Sequence, residues 1–182
     1  MPPWFQGAIS EDGSEGPDLA AVVLDATSFF DLQKGEILGC IYFLRNVHSF
    51  FTTDLIEEEL KSVDAVFMAK LGLVVYALDA NDMTIVGEYS AKYTGPSTQD
   101  LSALLLARKT GAILITRDGL LQDAANNEGV NWDHSIWVIE QMVIEKSLTS
   151  EEAVDAVKTI VQRRPRFKDG LKPERVRGLT WL

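Results

Sequence analysis

Two kinds of apolar pattern alternate along this chain. Short, unbroken runs of β-branched and large apolar residues recur, as in Ala20-Ala21-Val22-Val23-Leu24, Leu73-Val74-Val75-Tyr76-Ala77-Leu78 and Ala112-Ile113-Leu114-Ile115. Runs this short and this continuous predict strands buried on both faces, as in a parallel sheet. Between them, apolar residues recur at helical spacing with polar residues opposite. The pattern predicts order from residue 20, with a strand over 20–24. A helix opens at Thr27-Ser28 and carries Phe29, Phe30 and Leu32 until Gly35 breaks it. A second helix over 36–45, a strand over 48–52 and a helix over 54–62 follow. Then come a strand over 73–78 and a helix over about 81–92. Gly95-Pro96 marks a turn. The next helix covers 97–109 and ends at Gly111, ahead of a strand over 112–115. A helix over about 119–127 stops at Gly129, a short last strand covers 130–132, and two helices span about 134–146 and 150–163. Ser150-Glu151-Glu152 gives the last helix a cap and first-turn acids.

Strands alternating with helices predict an α/β fold: a three-layer α/β/α sandwich around a central parallel sheet of four to five strands, with right-handed crossovers. Sheets of this kind collect functional groups at the carboxyl ends of their strands. Asp25 closes the first strand and Asp118 follows the fourth.

Composition sets the boundaries. The 182 residues suit one domain, and 46% hydrophobic with 24% charged residues is ordinary for a soluble protein. Residues 1–18 are rich in Gly, Pro and acid and read as a flexible leader; 19–163 form the folded domain; 164–182 form a basic tail. No run approaches the ~18 apolar residues of a membrane span, and the first residues lack the basic-then-apolar order of a secretory signal. A cytoplasmic protein that does not enter membranes is expected. Cys40 has no partner for an internal disulfide, and its apolar neighbours predict a buried, inert thiol. His48 and His134 are too few for a Cys/His metal site. The net charge of −10 conceals a basic C-terminal end carrying Arg163, Arg164, Arg166, Lys168, Lys172, Arg175 and Arg177. Such an end either holds a phosphate backbone locally or serves as a solvated tail.

The acids carry the candidate chemistry. Each has a plain structural role available: Asp25 and Asp118 as helix caps, Asp100 in a capping box with Ser97, Glu59 on a solvated helix face beside Glu57 and Glu58. Together they fit a function better. Carboxylates at adjacent strand ends repel unless a cation holds them, and hard cations such as Mg²⁺ and Mn²⁺ select oxygen ligands. A metal held this way lowers the pKa of water and neutralises charge growing on a phosphate.

Four segments resemble those of the PIN-domain nucleases, and within them the stand-alone toxins of the VapC type, over roughly residues 20–145. They are Val22-Val23-Leu24-Asp25-Ala26-Thr27, Thr53-Asp54-Leu55-Ile56-Glu57-Glu58-Glu59-Leu60, Ser97-Thr98-Gln99-Asp100-Leu101-Ser102-Ala103-Leu104 and Ile113-Leu114-Ile115-Thr116-Arg117-Asp118. The resemblance implies a PIN-like sandwich, Mg²⁺ or Mn²⁺ dependence and cleavage of RNA. By position it makes Asp25, Glu59, Asp100 and Asp118 metal-binding acids, with Glu58 as alternative to Glu59, and Thr27 a hydroxyl that orients a carboxylate or water. Arg117, Arg163, Arg164 and Arg166 are the candidate RNA contacts. Asp123 and Asp133 are extra acids near the expected pocket. A toxin-like protein implies a homodimer and a small antitoxin partner. Ile136, Trp137, Ile139, Met142 and Val143 would then form either a dimer face or core. The rival reading is a non-catalytic PIN-like interaction module that binds RNA or a protein. A phosphoacceptor domain of the response-regulator type would require a Lys after the last strand, for which the sequence has no convincing candidate.

Overall fold

The computed structural model describes residues 20–168 apart from 61, 62 and 64. The leader 1–18 and the basic residues from Lys172 onward lie outside the described residues. Five strands form one sheet: β1 (Ala20–Leu24), β2 (His48–Thr53), β3 (Leu73–Tyr76), β4 (Ile113–Ile115) and β5 (Trp132–Asp133). Their order is β3-β2-β1-β4-β5, and every pair is parallel. β1 lies in the middle, and its Val22, Val23 and Leu24 are fully buried. That is why this strand reads as a continuous apolar run.

The nine α-helices of the described residues are α1 (Ala26–Lys34), α2 (Ile41–Leu44), α3 (Asp54–Glu59), α4 (Ala65–Leu71), α5 (Ala80–Lys92), α6 (Thr98–Thr110), α7 (Gly119–Asn127), α8 (Ser135–Ile144) and α9 (Ser150–Arg163). Helices α1, α2, α4, α8 and α9 pack among themselves, and α5, α6 and α7 do likewise. The two groups cover the two faces of the sheet, giving the expected three layers. The chain leaves β1 toward β2 and β3, then returns to build β4 and β5 on the other side of β1. The order therefore reverses between β1 and β4, the kind of position at which open α/β sheets form a crevice beyond the carboxyl ends of their strands.

The fold departs from the sequence expectation in specific places. The helix expected over 36–45 is a 3-10 turn at Leu38–Cys40 followed by the short α2, because Glu36 takes a positive φ of 62° and Gly39 weakens the start. The helix expected over 54–62 ends at Glu59, where the N–H of Leu60 caps the turn. Helix α4 has no counterpart in the apolar pattern: Met68 and Leu71 are buried, but Val66 and Phe67 are exposed, so the segment lacks a clean stripe. Ile136, Ile139 and Met142 of α8 are buried in the chain's own core, with Trp137 and Val143 packed against it. They serve as core and not as a free dimer face. Cys40 is half-buried, and burial raises its thiol pKa, with Glu152 adding to the effect.

The folded body extends past residue 163. A 3-10 turn at Pro165–Lys168 carries Phe167, which is fully buried and meets the His134 ring edge-on at 4.8 Å between centroids. Phe167→Ala is expected to cost about 3–5 kcal/mol in urea unfolding, the range for emptying a buried aromatic site. Phe43→Ala, at a side chain 60% exposed, should change stability by less than about 0.5 kcal/mol.

Candidate functional site

Asp25 follows β1 and caps α1, in extended backbone at φ −80° and ψ 171°. Its side chain is fully buried. Oδ1 accepts from the Ser28 N–H at 2.7 Å, and the Thr27 hydroxyl reaches Oδ1 at 2.9 Å and Oδ2 at 2.7 Å. The Thr116 side chain is near enough to help pull this carboxyl down. Its partners among the described residues are thus all uncharged. Burial pushes the carboxyl up from 3.8 to about 6, although the surrounding hydroxyls and amide pull it down.

The β1–β4 register sets the segment that carries the second acid next to the one that carries the first. Leu24 pairs with Ile115, the Asp25 N–H donates to the Ile115 carbonyl at 3.3 Å, and the Ser28 hydroxyl donates to the same carbonyl at 2.7 Å. Thr116 then faces Asp25 while its hydroxyl oxygen accepts from the Asp118 N–H at 3.1 Å. Asp118 caps α7, its Oδ1 accepting from Leu120 and Leu121 N–H at 2.8 and 3.1 Å. The Thr-x-Asp segment after β4 thus mirrors the Asp-x-Thr segment after β1. The role of Thr116 was not assigned from sequence, although this mirrored spacing signals it.

Asp100 joins the same edge through two contacts of its neighbours. The Ser102 hydroxyl lies 2.7 Å from that of Thr53, the last residue of β2. On the other side Gly95, at φ +119°, packs so tightly on Leu120 that an added Cβ would come within 2.4 Å of Leu120 Cδ1. The start of α6 is therefore wedged between the end of β2 and the start of α7. Asp100 completes a capping box, its Oδ2 accepting from Ser97 N–H and hydroxyl at 2.9 and 2.8 Å. Among the described residues, Oδ1 of Asp100 and Oδ2 of Asp118 take no hydrogen bond, so each acid caps a helix with one oxygen and keeps the other.

Glu59 is placed differently. It is the exposed last residue of α3, Glu58 is also exposed, and Glu57 alone of the three is half-buried. Asp133 ends β5 half-buried, and Asp123 is exposed on α7. Among the described residues no group of three or more His, Cys, Asp or Glu side chains stands close enough to share an ion. A hard cation that keeps several waters needs only one or two carboxylates from the protein, and the donor set beside Asp25 is all oxygen, which fits such an ion.

Three of the candidate RNA-binding arginines are engaged inside the chain. Arg117 donates from Nε to Asp31 Oδ2 at 3.1 Å, and Arg164 from Nη1 to Asp31 Oδ1 at 2.9 Å. Arg163 pairs with Glu36 at 2.8 Å and donates to the Lys34 carbonyl at 2.7 Å. Arg166 is exposed. The reason is Asp31, a fully buried carboxylate on α1 that sequence reasoning passed over. It falls on the buried stripe with Ser28 and Leu32, and an acid on an apolar stripe is the signal that could have flagged it. His134 is also fully buried; desolvation lowers its imidazole to about 4 despite the opposing pull of Asp31.

The two shifted groups act on stability in opposite directions. The Asp25 carboxyl binds its proton more tightly folded than unfolded, so its contribution is present below pH 3.8 and is lost as pH rises through about 6. His134, depressed to about 4, contributes above 6.5 and loses that contribution as pH falls. Asp25→Asn removes only the first effect. In EDTA its unfolding free energy relative to the unsubstituted protein should rise by on the order of 2 kcal/mol between pH 4 and pH 7. Parallel urea titrations at both pH values read this directly, and a pH-independent difference would contradict the assignment.

Comparison with known proteins leaves this site to speak through its own residues: no protein-family model matches the chain, and no curated protein does.

Proposed function

We propose that this protein is a metal-dependent endoribonuclease that uses Mg²⁺ or Mn²⁺ to hydrolyse phosphodiester bonds. The observation that carries the reading is that the β1–β4 pairing sets the turn bearing Asp25 next to the turn bearing Asp118, with Thr116 accepting from the Asp118 N–H and influencing the Asp25 carboxyl. Acid-bearing turns brought together at adjacent strand ends would be stabilised by a cation between them. The resemblance of the four acid-bearing segments to PIN-domain nucleases points the same way.

When bound, the metal would supply charge neutralisation at the scissile phosphate and acidify water for attack. The protein's own groups prepare that chemistry. Thr27 and the Ser28 N–H fix the rotation of the Asp25 carboxylate, leaving no reorganisation for the moment of reaction. With its carboxyl raised to about 6, Asp25 can also take a proton near neutral pH. Asp118 and Asp100 each present one oxygen outside their caps. Arg117 and Arg164 share the single carboxylate of Asp31, which leaves one positive charge beside Thr27. That charge and exposed Arg166 are the groups proposed to meet phosphates flanking the cleaved bond. The toxin role, the homodimer and the antitoxin rest on the resemblance alone.

A second reading, an interaction module, draws on an exposed apolar strip. Tyr42 and Phe43 of α2 and Val66 and Phe67 of the adjoining α4 are exposed, next to a cavity of about 250 Å³ lined by Leu38, Gly39, Val63 and Phe67. Cleavage separates the two. A panel of structured RNAs should be cut with Mn²⁺ and not with EDTA, and Asp25→Asn and Asp118→Asn should each lower the rate by at least a hundredfold while remaining folded. Full activity in both variants would remove the nuclease assignment, and no cleavage by the unsubstituted protein would favour the interaction module.

A further inference from the structure

Asp31 is the most enclosed charged group of the described residues that the proposed chemistry does not use. Its two oxygens are divided between segments far apart in sequence. Oδ2 takes the Arg117 Nε at 3.1 Å and the Ser135 hydroxyl at 2.8 Å; Oδ1 takes the Arg164 Nη1 at 2.9 Å. Arg117 belongs to the site through its place in the chain, and Arg164 through the same Nη1 that meets Asp31. Arg117 lies between Thr116, which faces Asp25, and Asp118, which caps α7. Arg164 also reaches the Thr27 carbonyl at 3.5 Å, and the Thr27 hydroxyl holds Asp25. A second link closes the arrangement, because Arg117 Nη1 donates to the Arg166 carbonyl at 3.4 Å.

We propose that Asp31 is a positioning residue that holds the two carboxylate-bearing turns in register, through Arg117 on the Asp118 side and Arg164 on the Asp25 side. The C-terminal stretch Arg164–Phe167 is thereby part of the site's framework. The physical reason lies in the sheet. β4 is a three-residue strand, and its following turn gains little rigidity from the ladder alone. A guanidinium fixed by a buried carboxylate supplies the rest, since its planar fork loses orientation freedom once its N–H groups are committed. That the turns carry metal ligands rests on the function proposed above.

The test compares Asp31→Asn and Arg164→Gln with Glu128→Gln. Glu128 is a shielded acid paired with Lys92 and Arg108 at the far end of α7, so its substitution removes two ion pairs without touching the site. Amide hydrogen exchange in EDTA is followed at Ser28, which bonds Asp25, and at Leu120 and Leu121, which bond Asp118. Asp31→Asn should speed exchange at all three amides at least tenfold. Arg164→Gln should speed it at Ser28 alone, and Glu128→Gln should leave all three within twofold. Mn²⁺ titration by calorimetry should show half-saturation at least fivefold higher in Asp31→Asn. Protected amides in Asp31→Asn would overturn the proposal; if that variant does not fold, a protected Ser28 in Arg164→Gln would do so. Loosened amides with unchanged Mn²⁺ binding would overturn the link to the metal site. Loosened amides in a protein that binds no Mn²⁺ in any form would leave Asp31 its positioning role and remove the metal reading instead.

Discussion

A carboxylate buried without a charged partner is the constraint around which this chain is arranged. Asp25 sits at the end of the central strand, where a parallel sheet reverses its order and the backbone must open a crevice. Burial of an anion there is costly, and only hydroxyls and one amide answer it. The cost persists because four separate features converge on the same point: the β1–β4 register, the Thr27 clamp, the Thr116 bridge and the first turn of α1. Above about pH 6 the carboxyl must ionise inside the protein, so its burial costs stability there.

Around this point the molecule contrasts two ways of burying an acid. Asp31, six residues beyond Asp25 on the helix that Asp25 caps, is matched by two arginines and a serine. It is compensated internally and ties three segments together. Asp25 is compensated by dipoles only and so keeps capacity for an added cation. The division explains why Arg117 and Arg164 stand near an anionic crevice without neutralising it: their charge is directed at Asp31. Glu128 and Asp82 repeat the compensated pattern between α5, α6 and α7, each satisfied by lysine or arginine and tyrosine.

Much of the fold was legible in the sequence because its strands are buried on both faces and its helices are punctuated by glycine and capping residues. Asp25 and Asp118 were readable as strand-end acids, and Asp100 as a helix-start acid, since cap chemistry is local. What the sequence hid was tertiary. Helix α4 lacks an apolar stripe, and 36–45 looked helical because its apolar content masked the left-handed Glu36. Asp31 resembled a surface acid because its partners come from residues 117, 135 and 164. For the same reason the basic tail seemed to begin at 164, where the structure shows a docked turn anchored by Phe167. Glu59 shows the converse: a motif position readable in sequence that the six-residue α3 leaves exposed.

The central claim is that the Asp25–Asp118 crevice holds a divalent cation, and anomalous scattering from crystals grown with Mn²⁺ tests it most directly. A peak at the manganese edge is expected within coordination distance, about 2.0–2.3 Å, of the Asp25 carboxylate, with Asp118 or its waters completing the shell. No peak there, or a peak only at surface carboxylates such as Glu58 and Glu59, would contradict it.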